Sequence, residues 1–231
     1  MSFSPIHIWA SMGLLSKVIA SLLIIMATMC LAVVVERTVA LVRAKGVTRS
    51  FLKSVVPLLE QSAYPKAADL ADQHKLSPFA RLVAPVLRKL ASSEDKNLSR
   101  VELARREAER QKEAVGEELR RGMGILASVG SVAPFIGLLG TVVGIISAFQ
   151  GIAATGSGGL GSVSAGISEA LVETALGLMV AIPAVLFFNS LNNKINAVEA
   201  EVARRTGELL DELENTHGSH SRESGNFEKA A

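Results

Sequence analysis

The chain alternates between long uncharged runs and charged, amphipathic segments. From residue 122 to residue 168, 47 consecutive positions lack Lys, Arg, Asp and Glu, and a second uncharged run covers 18–35. Apolar runs of about 18 residues or more can cross a hydrocarbon core roughly 30 Å thick as helices. The 122–168 run is long enough for one span and the start of another. The pattern therefore predicts an all-α, polytopic membrane protein.

Three spans follow from where charges and glycines fall. A Gly- and Ser-rich turn divides the long uncharged run, because such residues favour turns between periodic segments. The predicted segments are an interfacial segment at 1–13, span one at 14–35, a cytoplasmic helical domain at 36–121, span two at 122–153, a periplasmic turn at 154–164, span three at 165–190, a cytoplasmic helix at 191–214 and a disordered tail at 215–231.

The segment before span two is charged and contains no proline after Pro85. It is therefore predicted to form one helix that runs from about Asn97 into span two without a break. Span three is predicted to continue beyond the membrane in the same way, so that two of the three spanning helices are long.

Basic residues set the predicted orientation. Residues 36–121 contain 18 Lys and Arg against 12 Asp and Glu, whereas the turn at 154–164 has no charge. Cytoplasmic segments next to spans carry an excess of Lys and Arg. The N-terminus and the turn are therefore predicted to lie outside, and the C-terminus in the cytoplasm. The net charge of +2 is too small to indicate a nucleic-acid partner.

The sequence gives little support for a disulfide, a nucleotide-binding site or a metal site. Cys30 is the only cysteine, so the chain cannot form an internal disulfide. A GxGxxG pattern at 156–161 has no strand before it, so it indicates a hairpin loop and not a dinucleotide site. His217 and His220 lie in the predicted disordered tail and indicate no metal site. We expect neither an enzyme nor a cofactor.

Small residues form one face in each of spans two and three. In span two this face is Ala127, Gly130, Pro134, Gly137, Thr141, Gly144 and Ala148, and in span three it is Ala170, Glu173, Thr174, Gly177, Ala181 and Ala184. Close helix packing explains the glycines, because small residues let backbones approach each other in lipid. A hydrated or partner-filled lumen explains the carboxylates and hydroxyls as well.

The carboxylates decide between these two interpretations. A charge at the centre of a membrane helix costs at least about 2.5–3.5 kcal/mol, so Glu169 and Glu173 indicate a function. We therefore favour a lumen for Glu173 and Thr174. For Glu169, two roles other than facing a lumen stay open. Its charge could stabilise the start of a helix, or it could pair with a neighbouring subunit. Three helices cannot enclose a pore with two such faces, so several copies are expected to form a ring.

The motifs in these spans resemble a known family. The segments APFIGLLGTVVGI at 133–145, GISEALVETALGL at 166–178 and AIPA at 181–184 are similar to the MotA/TolQ/ExbB proton-channel family. The three-span layout resembles the TolQ/ExbB branch over roughly residues 10–210.

The resemblance implies a fold, a mechanism and partners. It implies a pentamer in the bacterial inner membrane around a TolR/ExbD-like single-span protein, whose Asp carries protons. The proton-motive force then drives work on a TonB/TolA-like or other envelope load, in transport, envelope integrity or motility. Protons are the expected coupling ion in preference to Na+. Thr141 and Thr174 match the family's pore threonines, and Glu169 matches its carboxylate. Positions expected to pack helices or face the partner are Gly130, Pro134, Gly137, Gly144, Gly177 and Ala181.

Glu173 departs from the family pattern, which has a small residue at this position. The extra carboxylate could add a proton site, change the choice of ion or pair with a basic residue of a partner. Two other classes of function stay open. An autonomous channel or transporter would conduct without a partner, and a structural scaffold would tolerate Glu173→Gln and Thr174→Ala.

Overall fold

The computed structural model describes residues 9, 12–92, 100–155 and 160–227. Within these ranges all regular structure is helical, which confirms the predicted all-α class. The six helices are α1 (Leu14–Glu60), α2 (Tyr64–Gln73), α3 (Pro78–Ser92), α4 (Arg100–Leu119), α5 (Met123–Thr155) and α6 (Leu160–Phe227).

Three of these helices are long and apolar enough to cross a membrane. Their candidate spanning segments are Leu14–Glu60, Met123–Ala153 and Ser164–Glu214. Large apolar side chains on all three are exposed, among them Leu14, Phe135 and Leu186. A soluble protein rarely leaves so much contiguous apolar surface in water. The prediction of three spans is thus confirmed at the level of helix length and composition.

The chain divides into two compact units. The apolar unit comprises Met1–Arg37 and Gly122–Asn192, and the polar unit comprises Thr38–Arg121 and Asn193–Ala231. Helices α1 and α6 contribute residues to both units, whereas α5 belongs to the apolar unit alone.

The prediction that one charged helix runs into span two is wrong. Helix α4 ends at Leu119, and a turn at residues 120–122 precedes α5. Gly122 adopts a φ of 78°, a left-handed conformation that interrupts the helical hydrogen bonds. The long helices are therefore α1 and α6, with 47 and 68 residues.

Proline does not divide α1. Pro57 lies inside α1 near its end, and Ser62, with φ 52°, follows the helix. The Ala63 N–H donates to the Leu58 carbonyl oxygen at 2.9 Å and the Ser62 N–H to that of Leu59 at 2.9 Å. This Schellman arrangement satisfies carbonyl groups that would otherwise lack donors at the helix end.

Two other segment boundaries differ from prediction. Helix α5 extends to Thr155 and α6 begins at Leu160, so the connection is shorter than 154–164, and residues 156–159 lie outside the described part. The predicted disordered tail begins at 215, but the backbone is helical to Phe227, since no proline follows Pro183 to end the helix. Most of the interfacial segment 1–13 also lies outside the described residues.

The polar unit has one hydrophobic core, to which five helices contribute. Phe51 of α1 and Phe79 of α3 place their ring centroids 6.1 Å apart within it. The core consists of Phe51, Val55, Ala67, Ala68, Ala71, Phe79, Ala80, Leu82, Val83, Ala84, Val86, Leu87, Leu90, Ala104, Ala108, Val115, Val202, Leu209, Leu210 and Leu213. The burial of these apolar side chains explains why segments that are mostly polar in sequence form a compact helical unit.

Ion pairs connect α4 and the turn that follows it to α6 inside the polar unit. The Arg120 guanidinium donates to both oxygens of Glu199, at 3.0 and 2.7 Å, and to Oδ1 of Asn196 at 2.7 Å. Arg105 pairs with Glu214 at 3.2 Å. Because these side chains are substantially exposed, each pair contributes only about 0.2–1 kcal/mol. Packing of the core, and not charge, therefore holds this unit together.

Glycines set the distance between α5 and α6 in the apolar unit. A Cβ atom on Gly177 would lie 2.7 Å from the Ala133 carbonyl oxygen and 3.0 Å from Gly137 Cα. A Cβ atom on Gly144 would lie 2.8 Å from Ala170 Cβ, and one on Gly130 would lie 2.6 Å from Val185 Cγ2. The two helices thus touch backbone to backbone along their small-residue faces.

Substitution at Gly122 is expected to destabilise the apolar unit. Gly122→Ala would place an L-residue in a left-handed conformation, which costs about 1–2 kcal/mol, and would bring Cβ within 3.3 Å of Val33 Cγ1. The matched control is Gly124→Ala, where a Cβ meets nothing within 4 Å. Thermal unfolding followed by circular dichroism should show a lower midpoint for Gly122→Ala only. Equal midpoints would contradict the left-handed turn.

Substitution at Gly177 tests the contact between α5 and α6. Gly177→Ala would force the helices apart, and overpacking of this kind costs roughly 1–3 kcal/mol. Gly151→Ala is the control on α5, because a Cβ there has open space. Denaturation in detergent should show a lower free energy of unfolding for Gly177→Ala and little change for the control. A neutral Gly177→Ala would show that the close contact is absent.

Candidate functional site

A buried carboxyl group lies in the apolar unit. Glu173 of α6 has no exposed surface, and neither of its carboxylate oxygens has a hydrogen-bond partner among the residues that the structure describes. Gly140 of α5 packs directly against it. A Cβ atom on Gly140 would overlap Oε2 of Glu173 and would lie 2.6 Å from its Cβ and 2.8 Å from its Cδ. The missing side chain of Gly140 therefore makes the space that Glu173 fills.

Helix α1 closes this space with a hydroxyl group. Ser16 is buried, with 4% of its surface exposed, and its side chain interacts with the Glu173 carboxyl group. The contact does not reach hydrogen-bond geometry, so both carboxylate oxygens stay unsatisfied. We call the space bounded by Gly140, Ser16 and Glu173 the Glu173 niche.

Glu169 lies four residues before Glu173 on α6 and is only partly buried. Its Oε1 accepts a hydrogen bond of 2.9 Å from the backbone N–H of Gly13, which precedes α1. Residues four apart on a helix share one face, and the two carboxyl groups interact electrostatically. Glu169 is therefore hydrogen-bonded and accessible, whereas Glu173 is neither.

The two threonines differ in their contacts. The Thr174 hydroxyl donates to the Gly137 carbonyl oxygen at 3.0 Å, from α6 to α5. The Thr141 hydroxyl donates to the Leu138 carbonyl oxygen at 2.7 Å, within α5. Both residues are partly exposed. Thr174 thus joins the two helices, while Thr141 has an exposed side and a bond only to its own helix.

The buried face of α5 is rotated relative to the predicted one. Ala127 is exposed and Pro134 is only partly buried, although both belong to the predicted stripe. The buried small residues are Gly130, Ala133, Gly137, Gly140, Gly144 and Ala148. On α6, the predicted Gly177, Ala181 and Ala184 are buried. The centre of the contact is therefore at Ala133 and Gly140, and not at Thr141.

Within one chain, the two small-residue faces pack against each other and line no open space. The expectation that Glu173 faces a lumen therefore differs from its position here. An ionised carboxylate without a partner is unfavourable in such a place, by about 2.5–3.5 kcal/mol or more in a membrane helix. The structure thus brings Glu173 and Thr174 to the α5–α6 contact, places Glu169 at its edge, and leaves Thr141 outside it.

Sequence reasoning missed three groups of this site. Gly140 is not a member of the predicted small-residue face of span two. Ser16 lies in an apolar run that gives no reason to single out a serine. Gly13 acts through its backbone N–H, which no side-chain pattern can reveal. A search for glycines opposite the extra carboxylate would have found Gly140.

No metal centre is evident in the described ranges. There, no three His, Cys, Asp or Glu side chains come together in a way that could hold an ion. The carboxyl groups of Glu169 and Glu173 are two acids on one helix face, a number suited to binding a proton but small for a protein-bound metal.

Comparison with known proteins reveals relatives for part of the chain. It is 46% identical over 97 residues to the biopolymer transport protein ExbB of Pseudomonas putida, a match that covers 42% of this chain and 30% of the relative. Identity to ExbB of Salmonella typhimurium is 44% over 102 residues, covering 44% and 42%. Identity to the Tol-Pal system protein TolQ of Haemophilus influenzae is 44% over 97 residues, covering 42% and 41%.

The chain thus spans less than half the length of these relatives. Residues 75–204, which include α5 and the part of α6 that carries Glu169 and Glu173, match one family of membrane channels and not an enzyme family. This stretch is more than half of the 231 residues. The chain belongs to the MotA/TolQ/ExbB proton channel family, in its TolQ/ExbB-like branch.

Proposed function

We propose that this chain is the channel subunit of a motor that uses the proton-motive force to do mechanical work in the cell envelope. The observation that carries the proposal is the pair Glu169 and Glu173 on a membrane-spanning helix of a proton channel family member. Ionisable residues in such helices are costly, and proton relays are a common reason for them.

The proton path is proposed to run along α5 and α6. Glu169, Glu173, Thr141 and Thr174 supply the polar groups on these two helices. Thr141 and Thr174 are both partly exposed, so their hydroxyls can meet water or a partner helix. The partly exposed carboxyl of Glu169 can exchange protons with water directly. Protons are the coupling ion in this proposal, and Na+ is the alternative.

Several copies are proposed to form a ring, with a pentamer as the stoichiometry. The outward face of α5 carries large exposed apolar residues, among them Phe135, Leu139 and Phe149. Such a face can pack against lipid or against another copy. Because one chain encloses no pore, the polar positions of α5 and α6 need neighbouring subunits to line a path.

A single-span partner of the TolR/ExbD type is proposed to lie inside the ring and to carry the proton-binding Asp. The names of the relatives refer to biopolymer transport and to the Tol-Pal system. We infer a load of similar kind for this chain, a TonB/TolA-like or other envelope protein. Motility is a further use of such motors.

The proposed location is the bacterial inner membrane, with the N-terminus outside and the polar unit in the cytoplasm. The excess of Lys and Arg over 36–121 supports this orientation. Helix α6 is the third span, and its continuation to Phe227 lies on the same side as the polar unit in this arrangement.

A structural scaffold is the second candidate function. The observation that favours it is the close contact of α5 and α6, which uses the small residues for packing within one chain. A scaffold requires no hydroxyl or carboxyl group on the path. The two functions therefore differ in how they respond to isosteric substitutions.

Removing the Thr174 hydroxyl distinguishes these functions. We expect Thr174→Val to lower proton-driven work by about tenfold, equivalent to roughly 1.4 kcal/mol, while the protein still assembles. The readout is complementation: each variant is expressed in cells from which this chain has been deleted, and recovery of the lost function is measured. Thr28→Val is the matched control, because the Thr28 hydroxyl bonds only to Ile24 of its own helix. Full activity of Thr174→Val would favour the scaffold.

The assembly itself is testable by native mass spectrometry of complexes extracted gently from the membrane. We expect a pentamer with one or two copies of a small single-span protein. The sequence of that protein would identify the load. A ring that conducts protons without any partner would contradict the motor and support an autonomous channel.

A further inference from the structure

Glu173 is the only Asp, Glu, Lys or Arg side chain that is buried in the part of the chain that the structure describes. The carboxyl group is enclosed by Gly140 of α5 and Ser16 of α1. A carboxyl group that is costly to bury and fully enclosed calls for a role of its own.

Among the described residues, no cation forms an ion pair with Glu173 that could balance an ionised carboxylate. Helix α5 has no charged residue at all. Helix α6 contributes Glu169, which has the same sign, and α1 contributes Lys17, next to Ser16 in sequence. No salt bridge involves Glu173 among the described side chains. Burial of a charge without a partner is far more costly than burial of a neutral polar group.

We propose that Glu173 is a proton-binding site carried by this chain, which holds its proton in the Glu173 niche and exchanges it with Glu169. The inference rests on the proposed function and deepens it, because it assigns a proton carrier to the channel subunit in addition to the one on the partner. Glu173 has no exposed surface in this conformation and its oxygens have no partner among the described residues, so Glu173 is held as the neutral acid.

The exchange balances within the pair. The Glu173 O–H gives its proton to the Glu169 carboxylate, which leaves Glu173 ionised and Glu169 neutral. The pair carries one proton and one negative charge before and after the transfer. Glu169 is partly exposed while its Oε1 accepts the Gly13 N–H, so it can release the proton outward. Glu173 takes up the next proton from the partner's acid group as this proton leaves, and the pair therefore never carries two negative charges.

A sodium site is the competing interpretation. Sodium ions bind several oxygen atoms at once, and the niche offers the two Glu173 oxygens and the Ser16 hydroxyl. The nearby Thr174 hydroxyl already donates to the Gly137 carbonyl oxygen. This small number of oxygens favours the proton, and competition by Na+ tests the choice directly.

Infrared spectroscopy of the complex in its own membrane provides the first test. A protonated carboxyl group has a carbonyl stretching band that a carboxylate lacks. We expect a pH-dependent band in the wild-type complex that Glu173→Gln removes, with Thr28→Val as a control that keeps it. The absence of any Glu173-dependent band between acid and alkaline pH would overturn the proposal.

Labelling with dicyclohexylcarbodiimide tests the same point without a variant. The reagent adds to a protonated carboxyl group. The acid proton moves to a carbodiimide nitrogen, the carboxyl oxygen bonds to the central carbon, and rearrangement gives a stable acylurea with no leaving group. We expect peptide mass spectrometry to find the label on Glu173, with a slower reaction as pH rises and no effect of Na+. Protection by Na+ would overturn the proposal in favour of a sodium site.

Gly140 supplies a test of the niche itself. We expect Gly140→Ala to displace the Glu173 side chain and to raise the labelling rate several-fold, whereas Gly124→Ala leaves it unchanged. Gly140→Ala should lower the unfolding midpoint of the wild-type chain but not that of the Glu173→Ala variant, in which the side chain that the new methyl group would meet is absent. An unchanged labelling rate in Gly140→Ala would mean that Glu173 does not occupy the niche.

The failure of this inference and of the proposed function can be told apart. Infrared bands and labelling require neither a partner nor a load. A complex with a protonated Glu173 that drives no work would overturn the motor and keep the proton site. A complex that drives work with an ionised Glu173 would overturn the proton site and keep the motor.

Discussion

The contact between α5 and α6 is the constraint on which the apolar unit depends. Gly177 rests against the backbone of Ala133 and Gly137, and no side chain separates the two helices at this height. Such proximity lets the Thr174 hydroxyl reach the Gly137 carbonyl oxygen. It also brings the Glu173 side chain against Gly140. The packing and the polar site are therefore one arrangement, because glycines on one face of α5 allow the helices to touch at Gly137 and enclose the carboxyl group at Gly140.

The two units of the chain are stabilised in different ways. The polar unit has a conventional hydrophobic core that includes Phe51, Leu82 and Leu87. The hydrophobic effect drives the burial of these side chains. The apolar unit exposes its large side chains and buries its small ones, as expected where lipid surrounds the helices and close packing replaces the hydrophobic effect. Substitutions that enlarge residues are therefore tolerated in different places in the two units.

The sequence was sufficient to predict those helices whose ends are marked by charged residues. Three spans and the all-α class follow from uncharged runs whose ends are marked by Lys, Arg and Glu. The end of α4 was not predictable in this way, because it depends on the left-handed backbone of Gly122, and a glycine next to an arginine pair carries no such signal. The length of α1 was also hidden, since Pro57 suggests an interruption but lies close to the end of the helix.

For the site, the sequence identified Glu169, Glu173 and Thr174 but not their surroundings. Helical periodicity places residues on a face to within about one position, and the true centre of the α5 face is displaced from Thr141 toward Gly140. Ser16 and the backbone of Gly13 come from α1, far away in sequence, and only tertiary structure brings them to α6. The choice between a lumen and a packed interface likewise depends on which helices meet, which one sequence does not determine.

The dependence of Glu173 on Gly140 also limits the order in which such a site can evolve. A residue larger than glycine at position 140 displaces the glutamate side chain at 173 from the niche, so an enclosed glutamate requires the glycine to be present first. Once the enclosed glutamate is in place, position 140 can no longer vary without displacing it. Related chains with a small residue at 173 are free of this restriction, and the pair should therefore change together across the lineage.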